Sequence, residues 1–305
     1  MSMSPEDDLL SSVLSAYQLR AGVYGQPRFC GLWQHGTSGM RRGAFHLIGE
    51  GRCWLHLKEQ PEPTPMEPGD LVVLPHDAWH LLSATPELRG TENIIPSEQD
   101  GPQTTMVCGY FQFELGEKNP VLDALPEVLL IRREAGGRAL AALGELMQAE
   151  SGEDSVGTRT VLDKLADTLF VMVIRQHINS QEDQRGVLAA LADPRLRKAL
   201  AAIHRQPGAE WTVDSLADIA GISRSGFARH FASVVGASPI EYLTRWRMTR
   251  AELVLRNPQV SVASVAEQMG YDDEAAFRKA FKRVHGVGPG AIRRWVKNKF
   301  ATSEN

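Results

Sequence analysis

The sequence predicts an α+β protein of two domains, an antiparallel β-barrel of the jelly-roll type followed by an all-helical region. Three observations lead to this prediction. Residues 28–113 are rich in short strand candidates, residues 212–239 and 261–289 repeat one helical pattern, and charge is divided unevenly. Residues 191–305 hold 18 Lys and Arg against 11 Asp and Glu, although the whole chain has a formal net charge of −4. We expect the basic part to meet a polyanion.

The composition shifts along the chain place the predicted domain boundaries. The predicted segments are a β-barrel at 1–135, accessory or dimerisation helices at 136–185, a linker at 186–195 and a helical domain at 196–300. Within the helical domain the two motifs cover 212–236 and 261–286. A 305-residue chain with 43% apolar residues is long enough for two cores.

The barrel prediction rests on short runs that alternate apolar and polar residues. These runs are 44–48, 53–57, 70–75, 79–83 and 105–113. The Pro-rich stretch 59–70 predicts a hairpin-like connection unsuited to a helix. Helical spacing predicts a short amphipathic helix at 9–19 and longer helices at 137–150 and 158–178.

Each repeat can be built from its residues. In the first copy Thr212 is an N-cap candidate, Gly221 permits the positive φ of a tight turn, and Ser223 can cap a second helix. Phe227 and Phe231 then point to one core-facing side. Helix, glycine turn and helix make a helix-turn-helix, whose second helix can enter a major groove.

The second copy repeats this plan one helix further on. Ser261 is the N-cap candidate of its first helix, Gly270 permits the tight turn, and Phe277 and Phe281 form the buried stripe of its second helix. Between the copies, residues 239–256 predict one helix of about 27 Å at 1.5 Å per residue. Two reading helices at its ends can lie about one DNA turn, roughly 34 Å, apart.

These motifs make residues 196–295 resemble the DNA-binding domain of the AraC/XylS family of transcription regulators. The resemblance also covers Arg247, Met248, Ala251 and Leu255 in the connecting helix, with Gly288 where the family usually has Ser or Thr. It implies a DNA-binding set of Arg224, Ser225, Ala228, Arg229, Glu274, Ala275, Arg278, Lys279 and Lys282.

The sequence supports a DNA contact more strongly for some members of this set than for others. Arg229 and Arg278 are the best candidates for guanine or phosphate contacts. Glu274 either accepts a hydrogen bond from cytosine or is a helix-start acid favoured by the helix dipole. Lys282 taken alone is more simply interpreted as part of a solvated face.

The N-terminal strands resemble the cupin-type sensor domain found in one subgroup of the same family. Residues 45–57 and 66–82 carry the resemblance, and His80 falls on the metal-ligand histidine of the second cupin half-motif. The first half-motif, HxH, is missing, because residues 38–41 are Ser, Gly, Met and Arg. The usual iron site of cupin dioxygenases is therefore not predicted.

Other residues offer metal ligands in the barrel. His46, His80 and Cys108 would suit Zn²⁺ or a copper ion, with Cys30 or His35 as a further ligand. The alternative is that both histidines are hydrogen-bonded core residues and Cys108 is a small buried hydrophobe. No cofactor is strictly required by either interpretation.

Two further sensor interpretations stay open. Trp33, Trp54 and Trp79 would line an interior pocket for a small organic ligand, or would simply belong to the core. Cys30, Cys53 and Cys108 would sense oxidants if one thiol had a depressed pKa.

The sequence as a whole predicts a DNA-binding transcription regulator and not an enzyme; a metal-dependent cupin enzyme is the alternative. Expected partners are double-stranded promoter DNA, a second copy of the chain, an unknown small effector and, for an activator, RNA polymerase. The chain start has no signal pattern, the longest apolar run, 169–174, is too short to cross a bilayer, and three cysteines fit a reducing compartment. We therefore expect a cytoplasmic protein without a membrane partner.

Overall fold

A computed structural model describes residues 8–94, 101–113, 119–152, 155–180 and 185–294. Its contacts divide the chain into two compact units. The sheet unit comprises 19–112 and 125–183, and the helical unit comprises 1–18, 113–124 and 184–305. None of the described helices has both the length and the apolarity that crossing a bilayer requires.

The sheet unit consists of short strands. They are β1 (Leu19–Gly25), β2 (Arg28–Cys30), β3 (Gln34–His35), β4 (Gly43–Ile48), β5 (Cys53–Leu57), β6 (Gln60–Met66), β7 (Leu71–Leu74), β8 (His80–Ser83), β9 (Gln103–Phe113) and β10 (Leu129–Ile131). Seven strand pairs run antiparallel, namely β2–β9, β3–β8, β4–β7, β4–β9, β5–β6, β5–β8 and β7–β10. The predicted antiparallel N-terminal domain is thus confirmed.

The strands form two sheets. One has the order β1-β9-β4-β7-β10, with β2 also paired to β9, and the other has the order β3-β8-β5-β6. Buried side chains from both sheets, among them Ile48, Leu55 and Leu82, form one core cluster. The core therefore lies between the sheets, as in a sandwich of antiparallel layers.

Two helices complete the sheet unit, α3 (Gly137–Ser151) and α4 (Thr158–Ser180). Two carboxylates on α4 accept hydrogen bonds from the edge strand β1. The Ala21 N–H donates to Asp167 at 2.8 Å, and the Val23 N–H donates to Asp163 at 3.2 Å. The free edge of β1 is covered in this way, because its outward N–H groups find acceptors.

The helical unit contains the remaining helices. They are α1 (Leu9–Ala16), α2 (Pro120–Ala124), α5 (Gly186–Ala192), α6 (Pro194–Arg205), α7 (Val213–Ala220), α8 (Arg224–Val235), α9 (Pro239–Leu255), α10 (Val262–Gln268) and α11 (Glu274–His285). Helix α1 packs on α6 and α9, where the Thr249 hydroxyl donates to the Tyr17 oxygen at 3.3 Å.

The caps predicted for the two motifs are present. Thr212 and Ser223 accept backbone N–H groups at the starts of α7 and α8, and Gly221 is left-handed with φ 70°. In the second copy Ser261 caps α10 and Gly270 has φ 75°. Both copies are therefore helix-turn-helix motifs set by local capping and turn chemistry.

Three segments differ from the prediction. The Pro-rich 59–70 contains strand β6, which among the described strands pairs only with β5, at a sheet edge, where proline is tolerated because no ladder partner needs its missing N–H. The predicted linker 186–195 is helical, since it forms α5 and the start of α6, with Asp193 as N-cap. Helices α1 and α2, assigned by sequence to the 1–135 domain, pack in the helical unit.

Candidate nucleic-acid interface

The face predicted to read DNA in the first motif lies on α8. Phe227 and Phe231 are fully buried, which turns the opposite side of the helix outward. On that side Ser225 and Arg229 are exposed and Ala228 is half-buried. Arg224 is also exposed, with its Nε 3.5 Å from an Asp214 carboxylate oxygen on α7. Helix α8 thus presents hydroxyl and guanidinium donors to solvent.

The second motif presents α11 in the same way. Phe277 and Phe281 are buried, and Ala275, Arg278, Lys279 and Lys282 are exposed. Glu274 is half-buried at the helix start and accepts from the Arg278 Nε at 2.6 Å. Because the two are four residues apart on one helix face, this ion pair also supports the helix.

Helix α9 joins the motifs. Its 17 residues extend about 26 Å, and its buried side chains pack against both motifs. Met248, Ala251 and Leu255 belong to the core cluster of the second motif. The helix is therefore the rod that sets the separation of α8 and α11.

One side chain on α9, Arg247, ties the segment before the first motif to the turn of the second. Its guanidinium donates to the Pro207 carbonyl at 2.6 Å and to the Ala209 carbonyl at 2.8 Å. The same group lies 5.7 Å from the ring centre of Tyr271, beside the second turn. The sequence singled out Arg247 only as part of the family pattern, because this role depends on tertiary packing.

The backbone makes a close approach at the same place. A Cβ on Gly270 would lie 2.3 Å from the Gly208 carbonyl oxygen, whereas a Cβ on Gly221 would meet nothing within 4 Å. The two equivalent turn glycines, Gly221 and Gly270, therefore have different structural roles. Gly270 is needed for its φ and for its contact with the segment before the first motif, and Gly221 for its φ alone.

Two buried polar clusters lie against α9. In the first, His204 of α6, the helix that packs on α7, stacks on Trp246 with ring centres 3.8 Å apart and lies 2.7 Å from the Tyr242 hydroxyl. Burial lowers the pKa of His204 to about 3. In the second, a Glu252 carboxylate oxygen lies 3.3 Å from His285 Nδ1, and burial raises the pKa of Glu252.

The predicted metal residues lie in the sheet unit. His46 on β4 and His80 on β8 are fully buried, and their Nε2 atoms are 2.9 Å apart. Cys108, opposite His46 on β9, has its Sγ 3.1 Å from the other ring nitrogen, Nδ1. The structure therefore brings the two histidines together and places Cys108 behind one of them.

The donor atoms of His46, His80 and Cys108 consequently do not face one common position, because Cys108 and His80 lie at opposite nitrogens of the His46 ring. In the part of the chain that the structure describes, no three His, Cys, Asp or Glu side chains are arranged to hold a metal ion. The cupin set does not fit either, since residues 38–41 supply no histidine. Metal binding itself stays a prediction.

The other sensor residues are dispersed. Trp33 stacks on Phe29 in the core, with ring centres 4.5 Å apart, whereas Trp54 alternates with the core residues Cys53 and Leu55 on β5. Trp54 thus lies on the other face of its strand. Trp79 is half-buried directly before β8. The structure does not gather the three rings into one lining.

Two of the three cysteines, Cys53 and Cys108, lie in environments that oppose thiolate formation. Burial raises the pKa of Cys108, and it raises the pKa of Cys53 to about 12. Cys30 is half-buried, and all three cysteines are free. Since oxidants react with the thiolate, Cys53 and Cys108 are poorly suited to direct reaction with an oxidant.

A cavity of about 150 Å³ lies in the sheet unit between β4, β7, β10 and α3. Leu47, Leu71 and Leu140 contribute its apolar lining, and Arg133 and Gln148 its polar lining. The sequence did not single it out, because it forms between a sheet face and a helix distant in the chain.

Comparisons with known proteins support both the N-terminal cupin domain and the C-terminal helix-turn-helix domain. The Cupin family matches residues 8–179, and a helix-turn-helix domain family matches residues 216–294. An HTH-type transcriptional regulator of Haemophilus influenzae is 32% identical over 95% of this chain and 99% of its own. An AraC-like transcription regulator of Streptomyces lividans is 31% identical over 96% of this chain and 98% of its own.

A solved structure is similar in its DNA-binding part. The DNA-binding domain of AdpA, a global transcriptional factor in complex with a target DNA, is 30% identical, with a TM-score of 0.33. The match covers 35% of this chain and 96% of that domain.

Proposed function

Because the chain belongs to the AraC-like transcriptional regulators that join a cupin domain to a helix-turn-helix domain, we propose that it reads promoter DNA through α8 and α11. The two helices enter successive major grooves on one side of the duplex. The observation that carries this proposal is that both copies bury their phenylalanines and expose the equivalent opposite face.

The exposed residues divide by chemistry. Arg229 and Arg278 reach guanine or phosphate, while Ser225, Ala228 and Ala275 lie close enough to the bases for hydroxyl or methyl contacts. Arg224, Lys279 and Lys282 contact phosphates and supply affinity without sequence preference. Glu274 orients Arg278 in the free protein, as their 2.6 Å hydrogen bond indicates.

The cupin domain is the sensor in this proposal. Its effector, a metal ion, a small organic molecule or an oxidant, binds two arrangements of the protein with different affinity and so shifts promoter binding. A homodimer would pair two operator half-sites, and an activator would also contact RNA polymerase. The alternative, a metal-dependent cupin enzyme, rests only on the His46–His80 pair, and we propose a non-enzymatic role instead.

The test is an affinity measurement with matched arginine variants of the full chain. A duplex selected from a random pool by the wild-type protein is titrated by fluorescence anisotropy at fixed salt. We expect Arg229→Ala to weaken binding by about 1–3 kcal/mol, roughly 5- to 150-fold. Arg138→Ala removes an exposed arginine from α3 of the sheet unit and should leave affinity unchanged.

If Arg229→Ala and Arg278→Ala bind the selected duplex as tightly as Arg138→Ala, the assigned reading residues are wrong.

A further inference from the structure

The segment that leads into the first motif lies against the turn of the second. This segment, residues 206–211, connects α6 to α7. A Cβ on Gly208 would lie 2.4 Å from the carbonyl oxygen of Gln268, the last residue of α10, and a Cβ on Gly270 would lie 2.3 Å from the Gly208 carbonyl oxygen. Side chains at these two positions would push the backbones apart, and glycine has none. The segment and the second turn therefore meet backbone to backbone.

Arg247 reaches this contact from α9, the helix on which both motifs pack. Its Nε donates to the Pro207 carbonyl at 2.6 Å, and its Nη2 donates to the Ala209 carbonyl at 2.8 Å. The guanidinium thus holds the carbonyls on both sides of Gly208. Both hydrogen bonds are charge-assisted, which is the stronger kind, and the planar guanidinium presents its donors in a fixed fork. Arg247 therefore restrains the segment in direction as well as in position.

The same guanidinium contacts the second motif through Tyr271, the residue after the turn glycine. Its central carbon lies 5.7 Å from the centre of the Tyr271 ring, which is within the range of a cation–π contact. The Tyr271 ring packs edge-on against Phe277, with ring centres 5.6 Å apart, and Phe277 is fully buried on α11. The contacts therefore run from Arg247 to the core-facing side of α11.

The held segment is also continuous with the first motif. The Trp211 backbone N–H donates to the Ala209 carbonyl at 2.8 Å, and the Trp211 indole N–H donates to the Gln206 carbonyl at 2.8 Å. These bonds fold the segment into a compact turn that runs directly into Thr212, the N-cap of α7. Helix α7 in turn packs on α8. The carbonyls that Arg247 holds are therefore fixed relative to the start of the first motif.

We propose that Arg247 is a positioning residue that fixes the angle between α8 and α11 and thereby selects the operator spacing. Its contacts with the carbonyls of residues 207 and 209 and with Tyr271, together called the Arg247 clamp, connect the motifs in addition to α9. Two bodies joined by one rod can tilt about it, whereas a further connection away from the rod resists the tilt. This inference rests on the proposed reading of two grooves and adds a determinant of spacing to it.

The consequence on DNA is a preference for one spacing between the two contacted tracts. One inserted base pair moves the second tract by about 3.4 Å along the duplex and turns it by about 34–36°. A stiff pair of motifs follows only if the duplex is deformed, which weakens binding. A looser pair adjusts without deforming the duplex, but it binds the matched spacing less tightly because its second motif is less well placed.

The experiment measures the full chain by fluorescence anisotropy on three duplexes. These are the selected duplex and two derivatives, with one base pair inserted or removed between the tracts that the wild type protects. We expect the wild type to bind both derivatives at least about 10-fold more weakly than the selected duplex. Arg247→Met keeps an unbranched stem beside Tyr271 and removes every donor. It should bind the selected duplex about 3- to 10-fold more weakly than the wild type, and the derivatives within about 3-fold of that.

Arg245→Met is the matched control. Arg245 lies two residues away on α9, is exposed, and pairs with Glu241 of the same helix at 2.6 Å. The substitution removes the same charge from the same helix and leaves the Arg247 clamp intact. It should therefore keep the wild-type ratio of affinities among the three duplexes.

An equal loss of affinity by Arg247→Met on all three duplexes would show a purely structural role and overturn the proposal, as would an unchanged affinity. If circular dichroism shows that Arg247→Met does not fold, Arg247→Lys decides, because lysine keeps the charge but not the fork. Its preference for the selected spacing should be weaker than that of the wild type, and an equal preference contradicts the proposal.

The wild type separates this proposal from the proposed function. If it binds all three duplexes equally, the reading of two grooves is contradicted, and the role of Arg247 with it. If it prefers the selected spacing and Arg247→Met keeps that preference, only the role of Arg247 is contradicted.

Discussion

The two helix-turn-helix copies expose equivalent faces of α8 and α11, but different contacts stabilise them. Beside the first, helix α6 packs on α7 and is held on α9 by the stack of His204 on Trp246, and the turn glycine Gly221 faces open space. The second is held by the Glu252–His285 pair, and its turn glycine contacts Gly208. The two copies thus share the exposed face that we propose reads DNA, while their packing, charge and turn environment differ. The copies should therefore respond differently to the same perturbation.

The largest difference is expected between the two turn glycines. Gly221→Ala should destabilise the protein by about 1–2 kcal/mol, because φ 70° is unfavourable for alanine but the Cβ meets no atom. Gly270→Ala adds a clash 2.3 Å from a backbone oxygen and should cost about 3–5 kcal/mol. Urea unfolding of both variants measures the difference, and equal losses would show that the Gly208 approach is unimportant.

Acid should act through His204 on α6, the helix that packs beside the first copy. His204 is neutral when folded, with its pKa lowered to about 3 from 6.5 by burial. A lowered pKa gives stability that is present above pH 6.5 and declines as the pH falls towards 3, at about 1.4 kcal/mol per pH unit. Free energies of unfolding between pH 7 and 4 should fall less steeply for His204→Gln than for the wild type. Parallel pH profiles for the two proteins would contradict this origin.

The smallest effect concerns the ion pair that only the second reading helix carries. Glu274→Gln removes a negative charge beside Arg278 and should tighten binding to unrelated duplexes a few-fold, because one phosphate-repelling group is lost. Anisotropy with selected and scrambled duplexes measures both affinities. If the selected duplex is instead bound more weakly while the scrambled one is unaffected, Glu274 reads a base and does not merely orient Arg278.

Local chemistry explains what the sequence predicted. Alternating apolar residues marked β4, β5, β7, β8 and β9, and capping residues with glycine turns marked both motifs. β1 was missed because LRAGVYG carries two glycines, and β6 because its prolines are compatible only with a sheet edge.

Tertiary information explains what was missed at the sites. His46 and His80 were named together from strand pattern and resemblance, and strand register does place Cys108 opposite His46. Which ring nitrogen faces the thiol depends on side-chain rotation, which no spacing encodes. The role of Arg247 depends on the carbonyls of residues 207 and 209, which only folding brings to it.

The central claim, that each copy reads its own groove, is tested most directly by base-resolved footprinting on the selected duplex. The wild-type protein should protect two major-groove tracts about one turn, roughly 10 base pairs, apart on one face. Arg229→Ala should weaken protection of one tract and Arg278→Ala that of the other. If both variants alter the same tract, or neither alters any, the two copies do not read DNA in the way this geometry requires.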